Sequence, residues 1–271
     1  MNRGLIIRAF REMWSTTLLL GLALTGVEAA FAFVLPKFGA QMSPEWLQLG
    51  FARGIMQGML GTEIGDRIGP QLFQSMAWVH PVVLALVWAH ALVCCTRVPA
   101  GEIDRGTVDV LLGLPVSRWE VFLSETLVWL VFGLALLAAA LAGNLLGGLA
   151  LPAAERPQLA RLLLVALNLF CAYGAAGGLA WLVSALSDRR GRAMTIVFLI
   201  LLALFLLNYL AQFWPPMEKW VFLSPLHYHR PVEILRSGAW PWRDMAVLVS
   251  VGGTMWLAAG VVFARRDLCT V

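Results

Sequence analysis

Met194-Thr-Ile-Val-Phe-Leu-Ile-Leu-Leu-Ala-Leu-Phe-Leu-Leu-Asn-Tyr-Leu-Ala-Gln-Phe213 runs for twenty residues without a charged side chain. A hydrocarbon core about 30 Å thick is crossed by roughly 20 mostly apolar residues in an α-helix, so this stretch alone calls for a membrane span. Five others pass the same test: residues 15–35, 75–95, 121–149, 159–186 and 245–264. The expected fold is all-α, a polytopic membrane protein with six transmembrane helices, residues 1–271 forming one membrane domain. Composition agrees. The chain is 60% hydrophobic and 13% charged, against about 45–50% and about 25% in soluble domains. That balance excludes a soluble enzyme, a nucleic-acid-binding domain and a disordered chain.

Six spans place both termini on one side, and lysines and arginines near span ends orient them. With cytoplasmic termini, 11 of the 20 basic residues fall inside, and Arg189, Arg190 and Arg192 crowd one membrane edge. The net charge of +4 then reads as topology, with no nucleic acid as partner. The first apolar run is of full span length and leads into no small-x-small cleavage site, so no cleavable signal is expected. These features predict a multi-pass protein of the cytoplasmic (inner) membrane. Residues 1–14 are expected to form an interfacial helix, with Leu5, Ile6, Phe10, Met13 and Trp14 toward lipid and Arg3, Arg8, Arg11 and Glu12 toward water.

Two external segments are expected. In residues 36–74, Ser43-Pro44-Glu45 offers an N-cap, a proline at the first helical position and an acid on the positive end of the dipole. Leu47, Phe51 and Ile55 then repeat at i, i+4. Residues 214–243 form short Ser/Pro-punctuated pieces whose tryptophans, ending in Trp240-Pro241-Trp242, suit an interfacial belt.

Residues 96–120 are the most charged stretch between two spans. Glu102 with Arg105 at i, i+3, and Arg105 with Asp109 at i, i+4, support a short surface helix, with Ile103, Val110 and Leu111 on its other face and Pro115 ending it. Ser117 with Glu120 makes a capping box that starts the third span. Such a helix, held between two spans, can receive force from a soluble partner; an ordinary wet connector would read the same way.

The run Glu102…Arg105-Gly106-Thr107…Leu111-Leu112…Pro115-Val-Ser117-Arg118 resembles the signature of type-2 ABC transporter permeases, nearest to the nitrous-oxide-reductase maturation type. Leu223-Ser224-Pro225-Leu226-His227-Tyr228 resembles their S-P-x-x-Y stretch before the last span. One departure stands out: the family often carries Lys a few residues into the third span, where this chain has Ser124-Glu125. The resemblance implies an exporter-type permease subunit whose cytoplasmic loop docks on a separate ABC ATPase, in two copies, through Glu102, Arg105, Gly106, Thr107 and Asp109. It also implies a second copy of the permease, a lipid bilayer around both, and an accessory extracytoplasmic protein. The first, second and fifth spans would flank the interface between copies. No cofactor is expected in this chain, and ATP and Mg would be bound by the ATPase partner. The only lysines, Lys37 and Lys219, follow Pro36 and Glu218, so neither makes the Gly-Lys of a P-loop.

Within the spans, Glu28 must face a cavity, be protonated or find a partner, and with Asn208 it is the candidate for a translocation pathway. Asn144 and Asn168 read as interhelical glue. Gly143, Gly147 and Gly148, and Gly174, Gly177 and Gly178, read as sites of close helix approach. His227 and His229 are weak metal candidates, as are the adjacent Cys94 and Cys95, for which filling a helix interface is the plainer role. Cys171 and Cys269 complete a set with no disulfide pattern. Two other readings stay open on these residues: a membrane metal-binding protein or enzyme, and a proton-coupled carrier using Glu28.

Overall fold

A computed structural model describes residues 2–41, 54, 56–58, 60 and 70–267, and the expected N-cap at Ser43-Pro44-Glu45, the Leu47, Phe51 and Ile55 repeat and Cys269 lie outside them. The described residues are helical and contain no strand. Helix α1 covers Arg3–Gln41, α2 Pro70–Val79, α3 Pro81–Cys95, α4 Ala100–Asp104, α5 Val108–Leu112 and α6 Arg118–Gly148. Then come α7 (Leu159–Leu186), α8 (Arg190–Leu210), α9 (Pro215–Glu218), α10 (Pro231–Ser237) and α11 (Trp242–Arg265). Among the described residues, six helices are long and apolar enough to cross a membrane: Arg3–Gly39, Leu72–Cys95, Arg118–Gly148, Leu159–Leu186, Arg190–Leu210 and Trp242–Arg265.

Two of these depart in detail from expectation. The N-terminal segment is helical, but no break separates it from the first span; α1 is one helix of 39 residues, about 58 Å at 1.5 Å per residue. Its faces are also partitioned differently. Leu5, Ala9 and Met13 are buried while Phe10 and Trp14 are half exposed, and Arg8 and Glu12 are drawn inward to ion partners. The second span is interrupted at His80. Pro81 has no N–H to donate and its ring blocks a helix running through, and the His80 side chain accepts the Val82 N–H at 3.3 Å to start α3 afresh.

The helices pair through small residues. α1 lies along α6, where a Cβ at Gly143 or Gly147 would strike the backbone of Thr25 or Ala29. α11 lies along α7, where Gly178 abuts the Gly252 backbone, and Gly177 of α7 lies under the Trp129 ring of α6. Close backbone approach maximises dispersion contact where lipid supplies no hydrophobic drive. A Cβ at Gly148 or Gly174, expected in the same role, would meet nothing within 4 Å, although the Gly174 carbonyl lies against Gly252. The capping box forms as the spacing predicts: Ser117 Oγ accepts the Glu120 N–H at 3.1 Å and the Glu120 carboxylate accepts the Ser117 N–H at 3.0 Å.

The short elements after α8 pack inward through Leu226, Val232, Ile234 and Leu235 and leave Trp214, Trp220, Phe222, Trp240 and Trp242 exposed. Trp240 and Trp242 stack with centroids 4.7 Å apart. The start of α1 and the end of α11 lie at the same end of the bundle as residues 96–120: Arg8 reaches Glu102, and Arg118 donates to the Phe263 and Arg266 carbonyls at 3.1 and 2.5 Å.

Candidate functional site

The loop between α3 and α6 forms two short helices in place of the single one expected. Gly106, at φ +67°, turns the chain between α4 and α5, a left-handed conformation that glycine adopts without steric cost. The Glu102–Arg105 pair forms, at 2.5 Å. Glu102 is nonetheless no solvated surface acid: the residue is 1% exposed. Its carboxylate accepts from Arg8 Nη2 at 2.7 Å, from Arg105 Nη2 at 2.5 Å and from Thr107 Oγ1 at 2.7 Å. The carboxylate therefore joins α1, α4 and the start of α5.

Burial pushes the Glu102 carboxyl upward, but the Thr107 hydroxyl and the Arg8 and Arg105 guanidiniums outweigh it, and its pKa lies below the ordinary glutamate value. A carboxyl depressed on folding adds stability that is full above its unfolded pKa, about 4.3, and is lost as pH falls through the folded value. The melting temperature of the detergent-purified protein should therefore drop as pH falls below about 4. Glu102→Gln should start lower at neutral pH and fall less steeply; coincident profiles would show that the carboxylate carries no such stability.

Arg97, one residue past the Thr96 cap of α3, lies between Glu12 of α1 and Glu125 of α6 and pairs with both. With Arg8–Glu12 at 3.0 Å, the network holds Arg8, Arg97 and Arg105 against Glu12, Glu102 and Glu125, three cations balancing three carboxylates. Charge balance is what lets such groups leave water. Glu125, where the resembling family often has Lys, is thus the buried partner of Arg97. A carboxylate inside a span signals a cation within reach, and Arg97, at the same end of the bundle, is that cation.

The loop is also tied to α7, and the end of α3 to α8. The Ala100 N–H reaches Ser184 Oγ at 3.3 Å, and Arg190 donates to the Val93 carbonyl at 2.9 Å. Its packed face comprises Val108 and Leu111, not Val110. Val110, expected on the apolar face, is 74% exposed, and Leu114 is half exposed. Asp104, Arg105 and Asp109 are exposed beside them.

The other candidates occupy separate places. Glu28 is fully buried between α1 and α6, one carboxyl oxygen accepting from Asn144 Nδ2 at 2.9 Å and the other lacking a hydrogen-bond partner. Asn144 is thus interhelical glue, as its position in the span suggests. Asn168 instead ties α7 to the segment after α8: its Nδ2 donates to the Tyr228 carbonyl at 3.1 Å and its Oδ1 faces His229 Nδ1 at 2.8 Å. His229 is buried, and burial lowers its pKa to about 4. His227 packs edge-on to Tyr228 and lies 3.5 Å from Arg230.

Cys94 and Cys95 are buried in the helix core, as is Cys171. Among the described residues no three His, Cys, Asp or Glu side chains gather where they could hold a metal ion. Asn208 lies on α8 beside a small gap shared with Val79, Tyr209 and His229.

His90 sits in a chain of hydrogen bonds. Thr17 Oγ1 donates to the Met13 carbonyl and receives the His90 Nε2–H at 2.9 Å, which leaves Nδ1 to accept from the Tyr173 hydroxyl at 2.9 Å. Only folding brings spans 1, 2 and 4 together at this point. Between α3 and α8, an apolar groove of about 630 Å³ is lined by Pro81, Trp88, Val93, Phe198, Leu202 and Phe205, among others. Glu28 is not part of its lining.

A family model described as ABC-2 family transporter protein matches residues 7–268. No curated protein and no solved structure matches the chain.

Proposed function

The chain belongs to the ABC-2 transporter family, and on that premise we propose that it is the permease subunit of an ATP-driven exporter. Membership makes it a membrane transport subunit and implies an ABC ATPase as partner. In the proposed cycle the ATPase binds ATP and Mg and docks on residues 96–120 on the cytoplasmic side, where both termini also lie. The observation that carries this reading is a loop built before any partner arrives. Glu102 is sequestered with three donors, while Asp104, Arg105, Asp109 and Val110 face outward.

The five loop residues then divide by role. Glu102, Gly106 and Thr107 shape the loop, and Arg105 and Asp109 meet the ATPase. Two permease copies would face one another across the first, second and fifth spans. The groove between α3 and α8 lies on that side, and α1 and α8 carry exposed apolar side chains such as Leu18, Leu22, Phe198 and Leu199. Asn208, beside α8's packing against the external segment, is the better placed of the two pathway candidates. Glu28 acts as a pin between α1 and α6.

Placing Asp at Val110, which is 74% exposed and outside the ion network, should reduce ATP-coupled transport at least tenfold while membrane insertion and melting temperature hold. An undiminished coupled rate would remove the docking assignment.

A further inference from the structure

We propose that Arg97 is a positioning residue: it clamps residues 96–105 to the first and third spans, so that movement of the loop is delivered to α1 and α6 and not up the second span. The inference rests on the coupling reading above, but the clamp itself has a signature in the permease alone.

The geometry points to the clamp at both ends of the load path. Arg97 gives one terminal nitrogen to Glu12 on α1 and the other to Glu125 on α6. Its side chain is 5% exposed and that of Glu125 2%, so water does not compete for the pair. Arg8, one turn before Glu12, fastens the same helix to Glu102. α1 and α6 are joined again further along, by Thr25 Oγ1 on the Ala139 carbonyl at 3.0 Å, by Glu28 on Asn144, and by the glycine contacts at Gly143 and Gly147. A pull on Arg97 therefore meets two helices locked to each other along their length.

The second span offers a softer route. It is two helices, α2 and α3, whose hydrogen-bond ladder is broken at His80-Pro81. α3 also has the open apolar groove on its α8 side. Arg190 of α8 holds this region through one neutral acceptor, the Val93 carbonyl. Arg97 instead meets two carboxylates, so ion-pair attraction adds to hydrogen bonding at α1 and α6 and is absent at the Val93 carbonyl, and α1 and α6 follow the loop first.

The test uses spin labels on the full-length permease, one pair at Arg11 (α1) and Leu123 (α6) and one at Arg11 and Arg192 (α8). In the permease alone the first pair should give a narrow distance distribution, and Arg97→Met should at least double its width. Glu12→Gln removes only the more exposed partner and keeps the test available should Arg97→Met fail to accumulate; it should broaden the same pair to a lesser degree. The exchange Arg97→Glu with Glu125→Arg keeps three cations and three carboxylates in the network and should narrow the distribution again, which a mere loss of packing would not do. An Arg11–Leu123 distribution unchanged in Arg97→Met and Glu12→Gln overturns the clamp.

In the complex purified with its ATPase, ATP should shift the Arg11–Arg192 distance and leave Arg11–Leu123 fixed. Arg97→Met should abolish that shift while ATP hydrolysis persists. If α1 and α6 stay still with respect to α8 while α3 moves on ATP, the routing is wrong. If the permease binds no ATPase although Arg97→Met broadens the first pair, the coupling reading has failed and the clamp has not.

Discussion

Arg97→Met is expected to lower the stability of the detergent-purified protein by about 3–5 kcal/mol, the usual cost of removing one partner from a buried ion pair. Glu125 is left 2% exposed with no other cation paired to it among the described residues. Glu12 loses less, because Arg8 still reaches it at 3.0 Å and its side chain is 36% exposed. Glu12→Gln should therefore cost about 1 kcal/mol or less, the range of a part-exposed pair. The ordering is the informative outcome, read from melting at neutral pH. Adding Glu125→Gln to Arg97→Met should recover much of the loss, since the orphaned charge disappears with it. No recovery would mean that Arg97 stabilises by packing alone.

The second large effect is expected at Gly178. A side chain there meets the backbone of Gly252 on α11, and backbone, unlike a flexible side chain, cannot swing aside. Gly178→Leu must pry α7 from α11 along their whole crossing, at a cost of about 3 kcal/mol or more, the upper end of overpacking. Gly174→Leu, one turn earlier on the same helix, has nothing within 4 Å of its added Cβ and should stay within about 0.5 kcal/mol. Thermal melting of the two variants decides it: similar losses at both positions would place the α7–α11 contact elsewhere.

This glycine pair shows how far sequence reasoning reaches. Gly174 and Gly178 share a small-residue spacing and fall on one helix face, so periodicity marks both as contact sites. Both lie against Gly252, and which of them has no room for a Cβ depends on where α11 crosses α7, a crossing set by all the side chains along both helices. The loop makes the same point in charges. Glu102 and Arg105 are readable as an i, i+3 pair, and the pair forms. Spacing within the loop cannot say that Arg8, 94 residues away, completes the site and buries Glu102. Nor can it turn Val110 outward. The turn at Gly106 does that, by replacing one helical register with two.

His90 and Arg97 were the least legible. Each is a polar residue near one end of the second span whose partners come from other spans: Thr17 and Tyr173 for the one, Glu12 and Glu125 for the other. Glu125 carried a usable signal, since an acid within a span requires a cation, but several arginines at that end could have served.

By itself the sequence determined the six spans, the capping box at Ser117 and the loop residues that carry the family resemblance. Each of these follows from hydropathy or from spacing within one helix, where neighbours along the chain are neighbours in space. Only the tertiary structure decided which acids and cations neutralise each other and that Glu102 faces inward. Those outcomes come from groups far apart in sequence that leave water only when their charges and hydrogen bonds are matched at once, and the matching exists only in the assembled bundle.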